Sequence, residues 1–389
     1  MILKRLLPLL TAAVMLAGCA ASDSSSGASE HSSAPAAEIS SSAGTTAPSV
    51  KTSRGEESSA PAAQPESSTA PAETESLSQE DESSQTSPDT DSEAETATSS
   101  ITPLMWEYET ESGSKVYFLG SMHALKKEVY PLPRTITDAY KASEVLAFEL
   151  DIDKTSSDVS LMLKQMQNKY YTDGTTIEDH ISPEVYEGVR GFTELYGTDL
   201  SKYRKCRPWV LLSLAEQLVV DASDLKSDLG LDMQLLRNGK QDGKEIFEVE
   251  SGELQTDLLI NLPDEICEAL LASYTPGSKD AIEANLINTY KAWCEGREEF
   301  FLTQADADAA IRESEAAGFT MSQRDKDLLK EYFKTMLYDR NEGMKDKAIE
   351  LIKSGKNVLF TVGLSHFIGD KGIVSLLKKE GYELKQIMP

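Results

Sequence analysis

Short apolar runs alternate along the chain with longer segments whose apolar residues recur at helical spacing. The first two runs, Met105–Glu109 and residues 116–119, flank the turn residues of TESGSK, which predicts a β-hairpin. Pro133 is then well placed for the first turn of a helix, and residues 145–150 form the next apolar run. The first part of the folded region is therefore predicted as two strands, a helix and a third strand.

The C-terminal sequence repeats this order of elements. Residues 358–362 predict a strand, Asp370 is expected to cap a helix, and residues 382–387 predict a last strand. Crossover connections of this kind normally make parallel, right-handed units. Two βαβ-like units are therefore predicted, which either share one sheet or face each other.

The segment between the units is predicted to be mostly helical. PWVLLSLAEQLVV is apolar around most of its circumference and is expected to be the central buried helix, while residues 245–249 predict one more strand. We favour an α/β fold in which the two units share a mixed sheet core, with a large helical insertion between them. Helices are expected at residues 157–168, 183–196, 208–222, 232–238, 251–260, 264–273, 279–296 and 322–353.

The N-terminus predicts where the protein works. Lys4 and Arg5 precede an apolar stretch too short for a comfortable membrane span, and LAGC, ending at Cys19, matches a bacterial lipobox. We expect residues 1–18 to be a lipoprotein signal peptide and Cys19 to carry the lipid that anchors the protein to the cell membrane. The domain would then face the outside of the cytoplasm.

Residues 19–100 differ in composition from the rest of the chain. After Cys19 they are mostly Ser, Ala, Thr, Pro and acidic residues, without an aromatic side chain, which predicts a disordered tether. The whole chain carries a formal net charge of −27, so no nucleic-acid partner is expected. The remaining cysteines, Cys206, Cys267 and Cys294, cannot all pair internally; free buried thiols are expected, with one disulfide left open.

Two of the four histidines occupy the same local frame. Each follows a predicted strand as Gly-x-x-His, with Gly120 before His123 and Gly363 before His366. Glycine there would let the backbone turn sharply and let a ligand approach, at the strand ends where α/β folds bind ligands. Neutral imidazole is a common metal ligand, so the two rings are predicted to converge on one cavity; the alternative is a structural, hydrogen-bonded histidine in each frame.

Two acidic residues are expected near this pair of histidines, and the other two histidines are not. Glu149 and Asp151 end the third predicted strand on one face, which offers a carboxylate to the two histidines. His31 lies in the tether, and His180 precedes a predicted helix, where a surface position is expected.

Several segments match a known family. The domain at residues 101–389 resembles the TraB/GumN family, which is related to the Tiki membrane-anchored metalloproteases. The matching segments are FLGSMH, AFELD, GLDMQLL, EVESGELQ, YDRNEGM and VGLSHFIGDKGIVSLLKKEGYEL.

The resemblance implies an α/β domain in which the two histidines meet. It implies His123, His366 and Glu149 as ligands of a divalent metal, Mn²⁺ or Co²⁺ rather than Zn²⁺, in metal-dependent peptide hydrolysis. Glu250 falls in the family's LET..EQ pattern, although this chain has Ser251 for the threonine and Leu254 for the second glutamate.

The implied chemistry leaves several roles open. Glu149 or Glu250 would take the proton of a metal-bound water. Arg340 would bind a substrate carbonyl or carboxylate with its donor fork, or else form a surface ion pair. Ser121 and Ser365 are expected to fix local geometry rather than to act as nucleophiles.

Three functions compete at this point. The first is a lipid-anchored, extracytoplasmic, metal-dependent hydrolase of peptides or small molecules. The second is a non-catalytic binder of a secreted peptide or another small ligand in the same cleft. The third is a metal-free hydrolase that uses His123 with Glu149 as an acid–base pair.

Overall fold

A computed structural model describes residues 100–388, with the exception of residues 317 and 319. The predicted signal peptide, the lipidated Cys19 and nearly all of the predicted tether lie outside the described residues. Across the described part of the chain, no helix combines the length and the apolar character needed to cross a membrane.

Six strands form one mixed sheet, in the order β4-β3-β5-β2-β1-β6. The strands are β1 (Met105–Glu109), β2 (Lys115–Ser121), β3 (Val145–Phe148), β4 (Glu245–Glu248), β5 (Val358–Gly363) and β6 (Lys385–Ile387). Strands β2, β5, β3 and β4 are mutually parallel, whereas β1 runs antiparallel to both β2 and β6. The predicted hairpin is therefore confirmed as β1–β2.

Strand β5 lies between β2 and β3, so strands from the two ends of the folded region interleave in a single sheet. Gly120 pairs with Val362 and Ser121 pairs with Gly363, while Phe148 of β3 pairs with Thr361 on the other side of β5. Parallel strands in register end at the same edge of the sheet. The segments that follow β2, β3 and β5 are thus brought together.

Helices account for most of the rest. They are α1 (Arg134–Ala142), α2 (Ile152–Ser156), α3 (Val159–Asn168), α4 (Pro183–Glu194), α5 (Pro208–Asp221), α6 (Leu231–Gln241), α7 (Gly252–Ile260), α8 (Asp264–Leu271), α9 (Lys279–Cys294), α10 (Glu298–Ala305), α11 (Ala307–Ala316), α12 (Gln323–Phe333), α13 (Asp339–Lys353) and α14 (Ile373–Lys379). The prediction of a helical insertion between β3 and β5 is confirmed, with β4 as its one strand among the described residues.

Three local predictions need correction. Asp370 does not cap the last helix, because the chain turns through two more residues and Gly372 is the N-cap of α14. The predicted helix 322–353 is interrupted by a π-helical turn, Lys334–Tyr338, between α12 and α13. Strand β3 ends at Phe148 rather than at residue 150, since Asp151 instead caps α2 by accepting from the N–H of Lys154.

The apolar helix α5 is buried as predicted. Trp209, Leu211, Ala215 and Val219 are each at most 2% exposed, because the helix has apolar side chains on nearly every face. Glu216 is buried on the same helix, and burial raises the pKa of its carboxyl well above the usual range. The three cysteines are free, as expected, and Cys206 and Cys267 are buried.

Candidate functional site

The carboxyl edge of the sheet carries the candidate side chains. Strand β2 leads to His123, β5 leads to His366, and Glu149 directly follows β3. The ladder between β3 and β4 continues one step further, since the N–H of Glu250 donates to the carbonyl of Glu149 at 2.8 Å. Two histidines and two carboxylates are therefore delivered to one edge by four adjacent parallel strands.

His366 is held in a single orientation. Its Nδ1 lies 2.5 Å from Oδ1 of Asn341, whose Nδ2 donates to the carbonyl of Lys371 at 2.9 Å. Because the amide is fixed this way round, Nδ1 of His366 carries the proton and Nε2 presents its lone pair. The pKa of His366 is lowered to about 4, mainly by burial and then by the positive charge of Arg340. The ring is therefore neutral at pH 7.

His123 is held by a carboxylate instead of an amide. Its Nδ1 lies 2.5 Å from Oδ2 of Asp232, and the N–H of Asp232 donates to Oγ of Ser121 at 3.3 Å. Burial alone would lower the pKa of His123, but the Asp232 carboxylate outweighs it and raises that pKa. The Nε2 atom of His123 is buried and has no hydrogen-bond partner among the described residues.

Glu149 interacts with both His366 and the guanidinium of Arg340. Its Oε1 accepts from the N–H of Gly363 at 2.8 Å and lies 3.8 Å from Nε2 of His366. Its Oε2 accepts from Arg340 at 2.8 Å and from Gln255 at 3.2 Å. Burial favours the neutral acid, but Arg340 and the histidines outweigh it and lower the pKa of Glu149 to about 2. The carboxyl is therefore ionised at neutral pH.

Arg340 is buried and makes four hydrogen bonds with its five N–H donors. Its Nε and Nη2 bind the two oxygens of Glu250 at 2.8 and 2.6 Å, and Nη2 also binds Glu149. Nη1 donates at 3.1 Å to the carbonyl of Met336, in the π-helical turn. Arg340 is only 8% exposed, so it is neither on a helix surface nor a free donor fork.

Two cavities border these groups. The smaller, of about 50 Å³, is lined by both His123 and His366 together with Ser121 and Arg340. The larger, of about 220 Å³, is lined by His123 and Glu149. The two rings therefore face one cavity, and His123 borders both.

Asp151 and His180 line neither of these two cavities. Asp151 binds Nζ of Lys240 at 2.6 Å, away from the histidines, because β3 stops before the alternation that would have aligned it with Glu149. His180 is partly exposed and stacks on Tyr171 with ring centroids 3.8 Å apart.

Three residues of the network were not singled out from the sequence. These are Asp232, Gln255 and Asn341, which hold His123, the two glutamates and His366 respectively. Each lies inside a segment that carries the family resemblance, GLDMQLL, EVESGELQ or YDRNEGM. Their presence in those segments was a usable signal, but their partners are distant in sequence and could not be assigned from it.

Comparison with known proteins decides the family. The sequence model of the TraB/PrgY/gumN family matches residues 104–386. The chain belongs to the TraB/PrgY/gumN family. The match covers nearly the whole of the folded region, so the resemblance drawn from the separate motifs is confirmed.

Relatives of this TraB/PrgY/gumN protein are distant. The uncharacterized protein YbaP of Escherichia coli (strain K12) is 25% identical over 149 residues, which is 38% of this chain and 53% of YbaP. Metalloprotease TIKI1 of Danio rerio is 22% identical over 335 residues, 75% of this chain and 64% of that protein. The chain thus spans between half and two thirds of these relatives. No solved structure matches it.

The histidines suit a divalent metal ion in their chemistry. Metal-binding imidazoles commonly donate their second ring nitrogen to a carboxylate or a carbonyl oxygen, which fixes the ring, and both rings here are fixed in that manner. The buried Nε2 of His123, which has no hydrogen-bond partner among the described residues, is the atom that would bind the ion. Within the described ranges, no group of three or more His, Cys, Asp or Glu side chains is placed to hold a metal. The ligand set His123, His366 and Glu149 therefore stays a prediction.

The glycine before His123 has a packing role rather than the predicted turning role. Gly120 lies inside β2 and Gly363 ends β5 with φ −52, so neither needs a left-handed backbone. A Cβ on Gly120 would lie 3.2 Å from Cα of Leu364 and closer still to its side chain. The carbonyl of Gly120 also accepts from the indole of Trp293 at 2.9 Å.

Gly120→Ala is therefore expected to destabilise the protein by about 1–3 kcal/mol, because overpacking would force β2 away from the residue after β5. The measurement is denaturant unfolding. Gly277→Ala is the matched control, since no atom lies within 4 Å of a Cβ there. Equal stability of the two variants would contradict the close-packing explanation.

Proposed function

We propose that this protein is a metal-dependent hydrolase that cleaves peptides at the edge formed by β2, β5 and β3. The observation that carries the proposal is the pair of imidazoles, His123 and His366, on one cavity with their Nδ1 atoms already engaged. Peptide as the substrate class is supported by the name of the TIKI1 relative.

His123, His366 and Glu149 are assigned to the ion, with Mn²⁺ or Co²⁺ rather than Zn²⁺ as the predicted metal. Metal ligands must be deprotonated, and the low pKa of Glu149 suits a ligand better than a proton acceptor. Its Oε1 accepts one hydrogen bond and keeps lone-pair capacity for a cation. When bound, the ion would lower the pKa of a water molecule and polarise the scissile carbonyl.

Arg340 and Glu250 are assigned positioning roles. Arg340 keeps Glu149 ionised and fixed in direction, and Glu250 with Gln255 fixes Arg340 and Glu149 in turn. The backbone N–H groups of the two Gly-x-x-His segments would stabilise the oxyanion. The earlier assignment of proton transfer to Glu250 is weakened because both of its oxygens already bind Arg340.

A second function is favoured by one contact. The Asp232–His123 pair, at 2.5 Å, leaves Nε2 of His123 free to accept a proton from water without any metal. This differs from the metal-free pair predicted from the sequence, in which Glu149 was the partner.

We further propose that lipid on Cys19 holds the protein at the outer face of the cell membrane.

The test is peptide hydrolysis by the full-length protein after treatment with EDTA and dialysis. We expect cleavage of a peptide library, read by mass spectrometry, to be lost after chelation and restored by Mn²⁺ or Co²⁺. A His366→Ala preparation purified in the same way reports any contaminating peptidase.

Each other outcome points to a different function. Cleavage that survives EDTA would replace the metal mechanism with the His123–Asp232 mechanism. Peptide binding without turnover under every metal would leave the non-catalytic binder. Absence of both binding and cleavage would contradict the proposal.

A further inference from the structure

The larger cavity is lined by both polar and apolar residues. Its polar lining includes His123, Glu149 and Gln255 of the proposed reacting centre. Most of the exposed surface inside the cavity is contributed by apolar atoms. Buried side chains such as Phe148, Leu236 and Leu259 form the walls.

Regular elements build these walls. Strand β3 leads into Phe148, α2 contributes Ile152, α6 contributes Met233 and Leu236, and α7 contributes Leu259. Walls made of strands and helices keep their shape better than loops do. The cavity is thus a preformed pocket of the kind that binds small apolar groups.

The volume fits a side chain rather than a single water molecule. A cavity needs a volume of roughly 10–15 Å³ to hold one water molecule, whereas the volume of this cavity is about 220 Å³. His123 lines both this cavity and the smaller, two-histidine cavity, so the two cavities are neighbours around one ring. A chain whose carbonyl lies beside the histidines would therefore place an adjacent side chain in the larger cavity.

We infer that the larger cavity is a specificity pocket for a large apolar side chain, such as that of Leu, Met or Phe, next to the bond that is cleaved. The identity of that bond rests on the proposed function, but the pocket itself requires only binding. A carboxylate side chain would lose its hydration against the apolar walls. It would also meet the carboxylates of Glu149, Asp228 and Asp232 in the lining, against a single cation, Arg237, which already pairs with Asp153 at 3.9 Å. A small one would leave the pocket unfilled.

The test uses peptides acetyl-Gly-Gly-X-Gly-Gly-amide with X as Leu, Phe, Ala or Glu, titrated into the full-length protein in EDTA by calorimetry. We expect the Leu and Phe peptides to bind about 10-fold or more tightly than the Ala peptide, since methylene-sized differences in an apolar pocket give 10-fold effects or larger. The Glu peptide should bind more weakly than both.

Two matched substitutions locate the binding. Met233→Trp enlarges a wall residue and is expected to remove the preference for Leu and Phe. Met162→Trp makes the same change on α3 at a side chain that is 44% exposed and outside the cavity, and should leave the preference intact. Ile152→Trp narrows the cavity from α2 and replaces Met233→Trp should that variant not fold.

The outcomes separate this pocket from the hydrolase proposal. Apolar preference without turnover would keep the pocket and remove the enzyme. Turnover or binding that is indifferent to X, or a preference that survives both tryptophan substitutions in the cavity, would overturn the pocket and leave the hydrolase standing.

Discussion

Replacing Arg340 with alanine is expected to lower the free energy of unfolding by about 3–5 kcal/mol, because removal of one partner from a buried ion pair leaves its counter-charge uncompensated. Here two carboxylates, Glu149 and Glu250, would lose the same cation. All three side chains are less than 10% exposed, so water cannot replace the guanidinium without opening the site.

Denaturant unfolding measures this effect. Arg190→Ala is the matched control, since Arg190 also pairs with two glutamates, Glu187 and Glu194, but on the exposed face of α4. Exposed pairs contribute about 0–1 kcal/mol. Similar losses in the two variants would show that burial of the Arg340 network adds nothing to its strength.

Replacing either His123 or His366 with alanine is expected to reduce kcat/KM for peptide hydrolysis by about 10³-fold or more, since metal polarisation supplies several kcal/mol of transition-state stabilisation. The same variants should also lose Mn²⁺ binding, which is measured as the increase in thermal stability that Mn²⁺ gives the wild-type protein. This second readout does not depend on turnover.

Graded substitutions test the histidine assignment further. Asp232→Asn and Asn341→Ala leave both imidazoles in place but disturb their Nδ1 partners, and should reduce metal affinity or activity by about 10–100-fold. His180→Gln is the control, since that ring stacks on Tyr171 away from the site. Full activity in His123→Ala or His366→Ala would end the case for a two-histidine centre.

Local patterns in the sequence predicted the parts of the fold that depend on near neighbours. The β1–β2 hairpin follows from a turn between two apolar runs, and α5 follows from apolar side chains around most of its circumference. The convergence of His123 and His366 was predictable because each follows a strand in the same frame. Strand ends were less predictable, since at Asp151 a helix cap competed with continuation of β3.

Long-range pairing was beyond what periodicity carries. The residues of β5 do not indicate that the strand pairs between β2 and β3. Asp232 and Asn341 lie in helices that are distant in sequence from the histidines they bind. Arg340 illustrates the same limit. Its burial depends on Glu149 and Glu250 arriving from two other strands, which its own helix does not encode.

The position of β5 also determines when this chain can fold during its own synthesis. The strand begins only at Val358, yet it occupies an inner place in the sheet. Until the ribosome has released that segment, β2 and β3 have no strand between them and their unpaired N–H and C=O groups are open to wrong partners. A nascent or prematurely terminated chain that stops before Val358 therefore lacks both the strand that joins β2 to β3 and the imidazole of His366.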